Sequence, residues 1–102
     1  MKLTVDESDG AVILTVDGTI DEESTPAIRK ELKKAVKKKP SALKLRLVDV
    51  PFMNSSGVAV LIEGMRWCNK ANVEYSLLGV SEPVRVALKV SRLLEVFKIE
   101  EV

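Results

Sequence analysis

The residues best suited to chemistry lie in one short stretch, Phe52-Met53-Asn54-Ser55-Ser56-Gly57-Val58. Two hydroxyls open a segment whose apolar residues then recur at helical spacing, directly after a loop containing Pro51. A serine so placed has two readings. In the first, Ser55 is an N-cap whose hydroxyl accepts from a free backbone N–H of the first turn. In the second, Ser55 is phosphorylated, since the dipole and free N–H groups of a helix N-terminus stabilise a phosphate. The added charge would alter any surface that a partner reads there. Little else in the chain could drive catalysis. Histidine is absent, which removes a His base, a Ser-His or His-Cys pair and a His-ligated metal site. A single cysteine forms neither an internal disulfide nor a thiolate-rich zinc site. These exclusions favour a binding or switching module, with no metal or cofactor of its own, over a self-sufficient enzyme.

The elements that must position this stretch are legible from periodicity. Met1 to Asp6 and Ala11 to Asp17 are β-branched runs around Ser8-Asp9-Gly10, which predicts a β-hairpin. After a loop at Gly18 to Glu23, Thr25 as N-cap and Pro26 at the first helical position start a helix reaching about Lys39. Its apolar face carries Ile28, Leu32, Ala35 and Val36, and Pro40 stops it. Ala42 to Val48 alternates as a half-buried strand, followed by a loop at Asp49 to Asn54. A second helix runs from Ser55 to about Ala71, with Val58, Leu61, Ile62, Met65 and Cys68 inward. Val73 to Leu78 is a strand ended by Gly79, Ser81 caps a helix over Glu82 to Lys89, and Val96 to Ile99 is a short final strand. The order predicts an α/β fold of βαβ units. Its sheet is mixed but mostly parallel, with an N-terminal β-hairpin, helices packed against it, and one face less covered than the other.

That order places three loops, and with them Asp21, Asn54, Ser55 and Ser81, on one rim at the carboxyl ends of the strands, where parallel sheets usually meet ligands and partners. Asp21 reads either as a partner contact or as an acid favouring a helix N-terminus. On the second helix, Ser56, Val60, Gly64, Trp67 and Ala71 form a separate stripe at 100° per residue. This stripe is either a partner groove anchored by Val60 and Trp67 or a packing seam under a neighbouring helix. Cys68, on the inward face, reads as a buried, inert thiol.

Length and charge set outer bounds. The chain of 102 residues is one domain, residues 1–102, and its 46% apolar content suits a packed core. The net charge of +1 hides a segregation: residues 1–24 carry −6, residues 25–48 carry +8, and the remainder −1. Within the basic block, Lys33, Lys34, Lys37, Lys38 and Lys39 read as a solvated helix face or as a site for an acidic partner, nucleic acid or anionic lipid. No aromatic residue interleaves with them, which weakens a nucleic-acid reading. The N-terminus lacks the apolar stretch of a signal peptide, and the longest apolar run, Val58 to Ile62, is far too short for a membrane span. The expectation is a cytoplasmic protein with no membrane insertion and no direct nucleic-acid contact.

With the element order, the Ile20-Asp21 pair and Phe52-Met53-Asn54-Ser55-Ser56-Gly57 in view, the chain resembles a STAS domain over nearly its whole length. The class it resembles most is the small, free-standing bacterial anti-sigma-factor antagonist. The resemblance implies that the unphosphorylated protein binds an anti-sigma-factor serine kinase and that phosphorylation of Ser55 releases it. A phosphatase would then reset the switch. The implied contact surface comprises Asp21, Asn54, Ser55, Ser56 and Gly57, to which the helical stripe would add Val60 and Trp67. One residue departs from the family pattern: Asn54 stands where an aspartate usually precedes the phosphorylated serine. An alternative is a STAS docking subunit of an ABC-type membrane transport complex that is never phosphorylated.

Overall fold

The computed structural model describes residues 1–102, as five strands and three helices. The elements are β1 (Lys2–Ser8), β2 (Ala11–Asp17), α1 (Thr25–Lys37), β3 (Ala42–Asp49), α2 (Ser55–Lys70), β4 (Glu74–Val80), α3 (Glu82–Val90) and β5 (Ile99–Glu100). The sheet order follows the chain, β1-β2-β3-β4-β5. β1 pairs antiparallel with β2 through a two-residue turn. Asp9 and Gly10 both adopt positive φ there, +51° and +82°, which matches the twist of the flanking strands. Every other pairing is parallel and is bridged by a helix.

Alternation along the strands divides the sheet into two unlike faces. Val12, Leu14 and Val16 of β2, Leu43, Leu45 and Leu47 of β3 and Leu77 of β4 are all buried. They form one core with Ile28 and Leu32 of α1, Val58, Leu61 and Cys68 of α2, and Val84 and Leu88 of α3. The opposite set, including Ile13, Thr15, Lys44 and Arg46, stays half-exposed with no helix over it. The expected asymmetry of the sheet is therefore present. Cys68 is fully buried, and that burial pushes its thiol up to about 11, so it resists ionisation and attack. Burial likewise raises the Tyr75 phenol, whose hydroxyl donates to the Leu61 carbonyl at 2.8 Å.

Several boundaries differ from the sequence expectation for identifiable reasons. Ser24, not Thr25, is the N-cap of α1. Thr25 is buried as the first helical residue, and Ser24 itself makes no side-chain cap bond to the helix. The helix stops at Lys37 because Lys39 turns to φ +49° ahead of Pro40, whose ring disfavours a helical residue before it. Gly79 does not end β4. It adopts φ +74° inside the strand, where the pairing slips from Leu45↔Leu77 to Leu47↔Val80, so it forms a bulge rather than a terminus. The last strand begins at Ile99, not Val96, because Phe97 turns into the core and interrupts an extended run.

β5 is short, and side chains on the open face tie it down. The Glu100 carboxylate accepts from Lys44 Nζ at 3.0 Å and from Ser76 Oγ at 2.9 Å. The Lys44 hydrogen bond, then the Ser76 one, hold its pKa below the ordinary 4.5. A depressed carboxylate stabilises the fold above its unfolded pKa, and that contribution disappears as pH falls through the folded value. Hydrogen exchange at the Leu77 amide, which donates to Lys98 O at 2.9 Å, should therefore accelerate as pH drops from 6 toward 3, after correction for intrinsic rates. Glu100→Gln should remove most of that pH dependence.

Candidate functional site

Three loops at the carboxyl ends of the strands are joined by backbone hydrogen bonds. Gly18 N–H donates to Asp49 O at 3.2 Å, Ile20 N–H to Phe52 O at 2.9 Å, and Asn54 N–H to Ile20 O at 3.2 Å. Ile20 and Met53 thereby form an isolated parallel bridge beyond the ends of β2 and β3. The third loop is attached by Ser81, whose N–H donates to Leu47 O at 3.1 Å and whose hydroxyl donates to Val50 O at 2.6 Å. The same Ser81 oxygen accepts from Val84 N–H at 3.4 Å and caps α3. The rim expected from element order exists, and it is a bonded unit rather than three independent loops.

Asn54, not Ser55, caps α2. Its Oδ1 accepts from Ser56 N–H at 3.0 Å, and its Nδ2 donates to the Glu22 carboxylate from the neighbouring loop. An amide can do both at once; a carboxylate offers no donor for Glu22. The structure thus gives a local reason for Asn at position 54, since the negative charge beside it comes from Glu22. Ser55 is the first helical residue and is exposed, and its hydroxyl takes part in none of the chain's hydrogen bonds. The first turn of α2 holds no acid, so its positive end is not neutralised from within the helix. Of the two readings of Ser55, the cap reading is removed by Asn54. What remains is a free hydroxyl at an open helix N-terminus.

Asp21 is an organiser of its own loop. Its Oδ1 accepts from Glu23 N–H at 3.0 Å and Ser24 N–H at 3.2 Å, while Ser24 Oγ accepts from Asp21 N–H at 2.9 Å and donates to Thr19 O at 2.9 Å. These bonds fix the entry to α1 and hold Glu22 toward Asn54.

Three residues assigned to a contact surface from sequence occupy other roles. Gly57 is buried: a Cβ there would lie 2.8 Å from Ile20 Cγ2 and closer still to Met53 Cγ. It is glycine because the Ile20–Met53 bridge crosses the first turn of α2. Val60 is fully buried, and the next residue of its stripe, Gly64, lies against Leu32 of α1 and Tyr75 of β4. The stripe is a packing seam there, not a groove leading from the rim. Trp67 is half-buried near the far end of α2, about 18 Å from Ser55 at 1.5 Å per residue. Its ring lies 5.3 Å from the Lys33 ammonium of α1. Sequence reasoning passed over two rim residues. Glu22 gave no signal beyond its place in an acidic loop. Phe52 is 53% exposed on the loop that leads into α2, which its position within the motif could have suggested.

Residues 2–102 match the STAS domain family model. The chain belongs to the STAS domain family. Among curated proteins it is similar to the anti-sigma F factor antagonist of Paenibacillus polymyxa, 23% identical over 100 residues that span 97% of this chain and 86% of that protein. Among solved structures, an anti-sigma factor antagonist from Mycobacterium paratuberculosis superposes with a TM-score of 0.88 at 23% identity, over 97% of this chain and 84% of that one. The Bacillus cell fate determinant SpoIIAA in its phosphorylated form gives 0.77 at 19% identity, over 99% and 91%. These structures share the STAS fold described above. No helix of the chain is long and apolar enough to cross a membrane.

Two substitutions test the geometry of the rim. Gly57→Ala should destabilise the protein by about 1–3 kcal/mol through overpacking, despite alanine's better helix propensity. Its melting temperature should fall by roughly 4–8 °C per kcal/mol. Asn54→Asp would set a carboxylate against Glu22. Its melting temperature at pH 7 should fall below that of the parent, and adding Glu22→Gln should restore it, since that change removes the facing charge.

Proposed function

We propose that this protein is an anti-sigma-factor antagonist whose rim docks on an anti-sigma-factor serine kinase and is released when Ser55 is phosphorylated. The observation that carries the reading is the Ser55 hydroxyl: exposed, without an intramolecular partner, and flanked by an Asn54 amide that already satisfies the helix cap. Phosphorylation there removes no bond from the fold. The name of the Paenibacillus relative and the existence of a phosphorylated SpoIIAA with the same fold support the assignment.

In the reaction, Ser55 Oγ attacks the γ-phosphorus of ATP held by the kinase. The new O–P bond forms as the bond to the ADP oxygen breaks, and the hydroxyl proton passes to a base on the kinase. This chain supplies the acceptor and the docking surface; the partner supplies nucleotide and metal. The surface consists of Phe52 as apolar anchor, Ser55 and Ser56 at the helix start, and the Asp21-Glu22-Asn54 cluster alongside. Gly57 shapes that surface from beneath. Doubly charged phosphate on Ser55 adds like charge next to Glu22 and buries poorly in an interface, which weakens binding. Hydrolysis of the phosphoserine by a phosphatase restores the binding form, in a protein that acts in the cytoplasm.

Incubation with ATP and the anti-sigma-factor kinase of the same genome should raise the mass by one phosphate. Ser55→Ala should abolish the increase and Ser56→Ala should retain it. Ser55→Glu should bind the kinase at least about ten-fold more weakly than the parent. Phosphate on Ser56, or none with the cognate kinase, would overturn the assignment. Co-purification with a transporter ATPase in that case would support the docking-subunit reading.

A further inference from the structure

At the opposite end of the molecule, the C-terminal halves of α1 and α2, with the turn after α1, border an open groove of about 410 Å³. It is lined by Val36, Trp67 and Ala71 below and by Lys33, Lys37, Lys39 and Lys70 around it. We propose that this groove is a second docking site, which takes an acidic peptide segment carrying an apolar or aromatic anchor.

The five lysines from Lys33 to Lys39, in the second half of α1 and the turn after it, divide into two groups. Lys34 and Lys38 line a different depression, together with Glu7 and Glu31, and Lys38 Nζ lies 4.0 Å from Glu7. The groove lysines have no carboxylate in the lining and form none of the chain's salt bridges. Two helix C-termini contribute about half a negative charge each. Four ammonium groups exceed that, so the groove carries net positive potential. Val36, Trp67 and Ala71 pack against the core with their inner surfaces and leave the rest open among these lysines, with no carboxylate in the lining. Charge selects the occupant: four ammonium groups around an apolar floor match a chain segment that carries carboxylates beside an apolar side chain. An anchor side chain would rest on Val36 and Trp67 while flanking carboxylates meet the lysines, the arrangement in which aromatic centres and charged rims divide affinity from specificity.

The site is independent of the proposed switch. Both helices start at the rim and run away from it, so the groove and Ser55 lie at opposite ends of α2. Two partners could therefore be held at once.

Trp67 is the only tryptophan, so the groove carries its own fluorescent reporter. Titration of the full chain with the synthetic peptide acetyl-Glu-Asp-Leu-Phe-Glu-Asp-amide should give a saturable change in Trp67 emission. The affinity should fall as salt shortens the screening length from about 30 Å at 0.01 M to about 10 Å at 0.1 M. Lys37→Glu with Lys70→Glu should weaken binding on the order of ten-fold or more. Lys37→Gln with Lys70→Gln, which introduces no repulsion into the fold, should weaken it less but in the same direction. Ser55→Ala should bind the peptide as the parent does, which separates this test from that of the rim. Absence of a saturable change up to millimolar peptide would overturn the proposal. So would an equal response to a version with lysine in place of the acids, or a response to phosphatidylglycerol vesicles without one to the peptide.

Discussion

The geometry of the rim depends on a single crossing: the bridge between Ile20 and Met53, laid over the first turn of α2. Two backbone hydrogen bonds flank it and fuse loops from different βαβ units. Gly57 lets the helix approach the bridge from below. This crossing fixes where α2 starts, and hence where Asn54 caps and where Ser55 projects. A loop held only by its ends would leave the serine in many orientations at a cost to any partner that must find it. Here the ordering is completed by folding, before any partner arrives.

Much of this arrangement can be read from the sequence, and the limits of that reading follow physical lines. Alternation at Leu43, Leu45 and Leu47 and the helical period from Val58 to Cys68 are strong signals because burial on one face imposes them. The positions left open or misread are those where two local rules compete. Ser55 and Asn54 are both good capping residues, and only the Glu22 carboxylate, 32 positions away in sequence, shows why the amide takes the cap. Gly79 looked like a terminator because glycine usually punctuates strands, yet a bulge uses the same left-handed backbone inside one. The stripe of Val60 and Gly64 looked separable from the core because helical periodicity cannot show that α1 and α2 approach closely enough to bury two adjacent faces of α2. Gly64 itself was the clue, since small residues allow such an approach.

Charge shows the same dependence on context. A net charge of +1 and an acidic N-terminal quarter beside a basic helix are properties of the string of residues. Folding redistributes them. Glu7 comes to Lys38, Glu63 to Arg29 and Glu100 to Lys44, so each pair offsets charge across long sequence separations. Among the charges left unpaired are carboxylates at the rim near Asn54 and ammonium groups at the far ends of the first two helices. Exposed pairs of this kind contribute little stability, about 0–1 kcal/mol each. Their importance is in deciding which charges remain available to others.

The sheet's two borders differ in a way that bears on self-association. An open sheet with a bare face and two free borders invites other chains to add strands. On one side the border is β1, long enough to be a template but studded with Lys2, Asp6 and Glu7, which resist a matching strand. On the other side β5 spans only Ile99 and Glu100 and depends on the Lys44 and Ser76 contacts to stay in place. Protection by charge tolerates fraying, whereas protection by a two-residue cover does not. The second border is therefore where intermolecular β-sheet growth would begin once the cover lifts.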